Sequence, residues 1–137
     1  MNRDDLWACI ELPGLALQAA DSGTGAERPL AVLDAGEAGV IIDRNAAAAR
    51  HGVHPGQRLS QALALCSGLQ TARRQPERES ALVRHLADIA YDFSSRVHVG
   101  ERDVVLEIEG SRKLIGDPEV LVERLQHRLD TAGLRGR

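Results

Sequence analysis

The chain of 137 residues has a single lysine, Lys113, three aromatic side chains, Trp7, Tyr91 and Phe93, and only two cysteines. It also lacks any long apolar run. Each shortage excludes something. A membrane-crossing helix needs about 20 apolar residues in succession, and the polar start Met-Asn-Arg-Asp-Asp is not a secretory leader. A cytoplasmic protein with no membrane partner is therefore expected. Cys9 and Cys66 have no cysteine or histidine at metal-site spacing, so two buried free thiols are expected rather than a zinc site or a disulfide, in keeping with a reducing compartment. No glycine-rich phosphate loop is present. Nor is there a cationic surplus: the formal net charge is -3, and composition alone makes no electrostatic case for nucleic acid. What the chain does have is aliphatic bulk. Hydrophobic residues make up 43% of it, and a chain of this length buries roughly two-thirds of its unfolded surface in one core.

Residues 6–12, Leu-Trp-Ala-Cys-Ile-Glu-Leu, are apolar on both faces and end at Pro13-Gly14, which predicts a short buried strand. Residues 21–28 lack periodicity and predict a loop. Residues 30–33 and 40–42 predict a hairpin closed around Ala35-Gly36-Glu37. An alanine-rich helix is expected at 45–50, stopped by Gly52. Ser60 is placed to cap a helix at 61–65, worth about 1 kcal/mol over alanine. Leu82, Leu86, Ile89 and Phe93 fall on one face of a helix over 77–93. Residues 97–99 and 104–108 predict paired strands around the turn Gly100-Glu101-Arg102-Asp103. Asp117 as N-cap, Pro118 at the first helical position and Gly133 past the end bracket a last helix with Leu121, Leu125 and Leu129 on its apolar face.

The fold class expected is α+β. With 13–76 set aside as an insertion, the remainder reads βαββα. A ferredoxin-like βαββαβ unit needs a fourth strand just after Arg137, so the chain reads as a fragment. In the strand order 4-1-3-2, the first strand would then lie at an open edge.

In the stretch 39–66 a strand leads into an alanine- and arginine-bearing helix, then Gly52-Val53, a turn, and Gln61-Ala62-Leu63 running to Cys66. This resembles the fingers segment of Y-family (translesion) DNA polymerases. Residues 6–18, 28–33 and 91–111 follow the family in order and spacing. The opening Leu-Trp-Ala-Cys-Ile-Glu-Leu-Pro is closer to ImuB-like proteins than to active members. The resemblance implies a ferredoxin-like polymerase palm at 1–12 and 77–137, its final strand missing, and a small fingers subdomain at 13–76.

Active members hold two metal ions about 4 Å apart between carboxylates of neighbouring strands. Matched to the family, the first-strand Asp falls at Cys9 and the adjacent Asp-Glu pair at Arg102 and Asp103, so one carboxylate of three survives. A cation at Arg102 opposes a metal: two unit charges about 4 Å apart repel by about 4 kcal/mol at an effective dielectric near 20, and a divalent ion doubles that. Glu11 shares the strand face of Cys9, about 7 Å along the strand, and is the one candidate to replace the missing Asp. The Tyr and Arg that grip the triphosphate in the family fall at Ala46 and Ala49, with Arg44 and Arg50 read as exposed helix arginines.

The resemblance therefore implies a non-catalytic scaffold in damage-induced mutagenic translesion synthesis, with no metal or other cofactor. Its implied partners are DNA, an ImuA-like protein, the sliding clamp and an error-prone C-family polymerase, bound mainly through parts outside this chain. The setting implied is the bacterial cytoplasm, at the nucleoid when active. Two rivals stand beside it: an active template-directed polymerase using Mg²⁺ with Glu11 and Asp103, and a DNA-binding module using arginines. Arg73, Arg74, Arg78 and Arg84 are interleaved with Glu77 and Glu79 and read as a solvated loop and helix start rather than a phosphate track. His51, His54, His85, His98 and His127 lack ligand or catalytic spacing and read as surface histidines. Asp34, Asp43 and Asp103 form no triad with a nucleophile.

Overall fold

The computed structural model of the protein describes residues 5–21, 27–34, 36, 39–112 and 116–136. Its elements are β1 (Trp7–Glu11), α1 (Leu15–Ala20), β2 (Leu30–Leu33), β3 (Ile41–Arg44), α2 (Ala46–Arg50), α3 (Leu59–Leu65), β4 (Gln70–Arg73), α4 (Pro76–Tyr91), β5 (Val97–Val99), β6 (Asp103–Glu107) and α5 (Pro118–Thr131). They fall into two compact units, Met1–Pro13 with Ser80–Arg137, and Gly14–Glu79. The class is α+β.

The first unit is built on the antiparallel order β1-β6-β5, with β1 at one end of the sheet. Its elements run βαββα. Opposed residues in an antiparallel pair project to the same face. The register Cys9↔Val105, Ile10↔Val104 and Glu11↔Asp103 therefore sorts the side chains. Ile10, Leu12, Val104 and Leu106 are buried, as are Leu86, Ile89, Leu121, Leu125 and Leu129 from α4 and α5. β1 is not buried on both faces as its composition suggested. Cys9 and Glu11 are exposed, because helices supply an apolar cover to one face only. The buried stripe of α4 is Val83, Leu86, Ala87, Ile89 and Ala90, while Leu82 and Phe93 are half-buried. The stripe is thus rotated slightly from the expected one, and α4 ends at Tyr91, before Phe93. Pro118 opens α5, and Gly133 follows it with φ of +75°. There the left-handed turn favours glycine.

The second unit holds the order β3-β2-β4. β2 pairs antiparallel with β3 and parallel with β4, and all four residues of β2 are buried. The turn expected at 35–37 and the loop at 21–28 lie largely outside the described residues. Two elements escaped the sequence. α1 follows Pro13-Gly14 directly, its short run carrying too few turns for a period. β4 is only four residues with two of them exposed, too polar for a strand signal, and it moves Arg73 from the expected loop into a strand. α3 starts at Leu59, two residues before the position expected from a Ser60 cap. Gln61 Oε1 accepts the Arg58 N–H at 3.1 Å, and Leu59 packs against the buried cluster of Ala31, Leu33, Ile41, Val53 and Cys66. Arg44 ends β3 and is not a helix residue.

Asn45 ties this unit together. Its Oδ1 accepts from Ala48 N–H at 2.9 Å, capping α2, and from Leu30 N–H at 3.0 Å, while Nδ2 donates to the Arg28 carbonyl at 2.6 Å. One side chain therefore fixes the start of α2 against the start of β2. Where β4 leads to α4, Glu79, 9% exposed, receives Arg74 Nε and Nη2 at 2.8 and 3.3 Å. The Glu79 carboxylate also lies in the first turn of α4, where the helix dipole favours it. Asn45→Ala is expected to lower stability by about 2 kcal/mol, from the lost cap and the stranded Leu30 N–H. A urea titration followed by circular dichroism measures it, and Asn45→Asp, which retains the accepting oxygen, is expected to lose less than half as much.

Candidate functional site

The face of β1 and β6 that the helices leave open carries the residues of chemical interest. By the register, Trp7, Cys9 and Glu11 share it with Asp103, Val105 and Glu107, and His98 of β5 stands opposite Val105. The structure thus brings Cys9, Glu11 and Asp103 to one surface. It pairs Glu11 directly with Asp103, and Cys9 with Val105. Burial first, and then the charges of Asp103 and Glu11, push the Cys9 thiol above its ordinary value of 9.0. The free thiol of Cys66 is buried as expected and that of Cys9 is exposed, contrary to expectation.

Arg102 lies outside β6, in the hairpin bend, exposed, with its carbonyl accepting the Leu12 N–H at 2.9 Å. Among the described residues no ion pair joins it to Glu11 or Asp103. The turn is tight, Gly100 N–H donating to the Asp103 carbonyl at 2.8 Å. A Cβ at Gly100 would run into a carboxylate oxygen of Asp103, so that carboxylate folds back over its own turn. Among the described residues no group of three or more His, Cys, Asp or Glu side chains is placed to hold a metal ion. A hard ion such as Mg²⁺ takes oxygen ligands in near-octahedral array. One exposed Glu, one folded-back Asp and a thiol kept protonated at neutral pH do not fit it.

In the second unit Ala46 is exposed at the start of α2 and Ala49 is half-buried one turn on. Neither offers a donor to an anion. Asp43 lies just before them, its Oδ1 accepting the Arg44 N–H at 2.9 Å and its Oδ2 at 3.4 Å from where a Cβ on Gly14 would sit. The approach to α2 thus bears a carboxylate of its own. Arg50 is exposed, and Arg44 is half-buried with its Nε unpartnered. The five histidines are all exposed.

Sequence reasoning missed the cluster around Trp7. Arg96 Cζ lies 5.2 Å from the centre of the indole, His98 is 5.6 Å from it and tilted by 39°, and Arg96 Nη1 is 3.4 Å from Asp5 Oδ2. Its only sequence signal is the two-residue alternation from Cys9 back to Trp7. The hairpin register adds His98.

Thiolate formation at Cys9, followed by the pH dependence of iodoacetamide alkylation, is expected to have its midpoint above the ordinary thiol value. Asp103→Asn is expected to bring the midpoint down, and Glu11→Gln to bring it down by less, because both carboxylates disfavour the anion. An unchanged midpoint in both variants would remove the charge effect from this face.

Comparison with known proteins bears on this geometry in two ways. A sequence model of the impB/mucB/samB family matches residues 17–134. Among solved structures, DinB from Sulfolobus solfataricus is similar with a TM-score of 0.75 at 15% identity, over 95% of this chain and 40% of that one. The insertion ternary complex of Dbh DNA polymerase has the same four values, and the post-insertion binary complex of Dbh has a TM-score of 0.76 at 16% identity, with the same coverage. The chain therefore has a fold found within Y-family DNA polymerases and spans about 40% of the length of these structures. A search of curated protein sequences gave no match. Because the family match runs over most of the chain, the protein belongs to the impB/mucB/samB family.

Proposed function

We propose that this chain is the palm and fingers of an ImuB-like member of the family, a non-catalytic scaffold in damage-induced mutagenic translesion synthesis. The palm comprises 1–12 and 77–137 and the fingers 13–76. The observation that carries the reading is the donor set at the β1–β6 end: Cys9 and Arg102 stand at two positions where the family resemblance calls for carboxylates, and Asp103 folds back over Gly100. Phosphoryl transfer rests almost wholly on positioning and on neutralising developing charge, and this surface neutralises none. Ala46 and Ala49 leave the fingers without a grip on a triphosphate, and Asp43 repels one.

A scaffold needs no turnover, and its work is to hold partners together. Those proposed are DNA, an ImuA-like protein, the sliding clamp and a separate error-prone C-family polymerase, acting in the bacterial cytoplasm at the nucleoid. Among the described residues no helix is long and apolar enough to cross a membrane. One feature favours a second reading, an active polymerase with Mg²⁺. The register opposes Glu11 to Asp103, so two acidic residues share that end of the sheet face.

Primer extension by full-length protein on a primed template with Mg²⁺ or Mn²⁺ separates the two. No extension above background is expected. Extension that survives Cys9→Ala and is abolished by Glu11→Ala or Asp103→Ala would establish the polymerase instead. Calorimetric titration with a deoxynucleoside triphosphate and Mg²⁺ is expected to show no saturable binding; micromolar affinity lost in Arg44→Ala or Arg50→Ala would contradict the reading of the fingers.

A further inference from the structure

We infer that the turn joining α2 to α3, with the helix ends beside it, is a docking surface for an acidic protein segment that carries an apolar side chain. Residues 44–76 contain five arginines and two histidines but no carboxylate. Two of these arginines, Arg50 in the last turn of α2 and Arg58 at the start of α3, are exposed. Among the described residues neither has an ion-pair partner. Asp43, the carboxylate that precedes this run, lies before the opposite end of α2. Asp34 N–H bonds to the carbonyl of Val40, which bridges to Arg58, yet Asp34 keeps its Oδ1 buried. His51 and His54 are exposed between the two arginines.

One side chain holds the turn in shape. Gln57 Oε1 accepts the His54 N–H at 3.0 Å, and Gln57 Nε2 donates to the Gly52 carbonyl at 3.1 Å. A Cβ at Gly52 would sit 3.7 Å from Leu65 Cδ1. The leucine at the end of α3 therefore lies beside the turn, and it is 51% exposed. Free guanidiniums next to an exposed leucine suit a segment whose carboxylates take charge-assisted hydrogen bonds while an apolar side chain covers Leu65. A nucleic acid would use the cations and leave the leucine bare. Single strands are held by stacking on aromatic rings, and residues 14–79 contain none; duplexes draw on many phosphate contacts, and this turn offers two arginines. Charge and apolar exposure together select a protein segment.

The probe is a fluorescein-labelled peptide of four glutamates, one leucine and four glutamates, read by anisotropy. Saturable binding that weakens as salt rises is expected, with nonaglutamate binding about threefold less tightly. Arg50→Gln/Arg58→Gln is expected to lose about fivefold. The charge-matched pair Arg78→Gln/Arg84→Gln, on exposed positions of α4, is expected to bind as the unaltered protein does. Leu65→Ser is expected to bind both peptides alike, and it serves if the arginine variant folds poorly by circular dichroism. Leu63 is 41% exposed but stands on roughly the opposite side of α3, so Leu63→Ser is expected to keep the preference for the leucine peptide. The proposal is overturned if the peptide does not bind saturably, or if both arginine pairs weaken binding equally. It is overturned equally if Leu65→Ser keeps the preference, or if a twenty-residue oligothymidylate displaces the labelled peptide at lower concentration than the unlabelled peptide does. The surface belongs to the second unit alone, so peptide binding and primer extension can each fail without the other.

Discussion

The first unit depends on one pairing, that of β1 with β6. Its ladder runs from Trp7↔Glu107 to Glu11↔Asp103 and continues past both ends, through Leu12 N–H to the Arg102 carbonyl and Ile108 N–H to the Leu6 carbonyl. The loop it closes is long, but closure entropy rises only with the logarithm of length. Burial of Ile10, Leu12, Val104 and Leu106, each worth about 1.5–3 kcal/mol, offsets that cost. The pairing also sets parity. A slip of one residue would turn Ile10 and Leu12 to solvent and send Cys9 and Glu11 inward, so the core that stabilises the register is also what presents the functional residues.

How much of this was legible depended on how local the signal was. Leu121, Leu125 and Leu129 repeat at helical spacing between a cap, a proline and a glycine, and α5 formed where they indicate. The β5–β6 hairpin follows from two apolar runs around a polar turn. β1 was legible as a strand but not in its burial, because a run apolar on both faces does not say which face a helix covers. β4 was illegible because its pairing with β2 is parallel and joins Leu30 to Gln70, a relation no local pattern encodes. At the candidate site the types Cys9, Arg102 and Asp103 were visible in sequence. The direct opposition of Glu11 and Asp103 needed the register, and the folding back of Asp103 needed the three-dimensional turn at Gly100.

The two units differ in charge. Residues 14–79 hold seven arginines and seven carboxylates, so the chain's net charge of -3 resides wholly in the other unit. Glu11 and Asp103, opposed in the β1–β6 ladder, belong to that unit. In an active polymerase such acidity is neutralised by metal ions.

The discontinuity of the first unit sets an order of events as the chain leaves the ribosome. β1 emerges first but its partner β6 ends only at Glu107, roughly 5–20 s later at synthesis rates of about 5–20 residues per second. The strands of the second unit are complete by Arg73. The inserted unit can therefore fold while β1 is still waiting. Through that interval β1 waits without its ladder partner β6, its backbone donors and acceptors open to pairing with another chain.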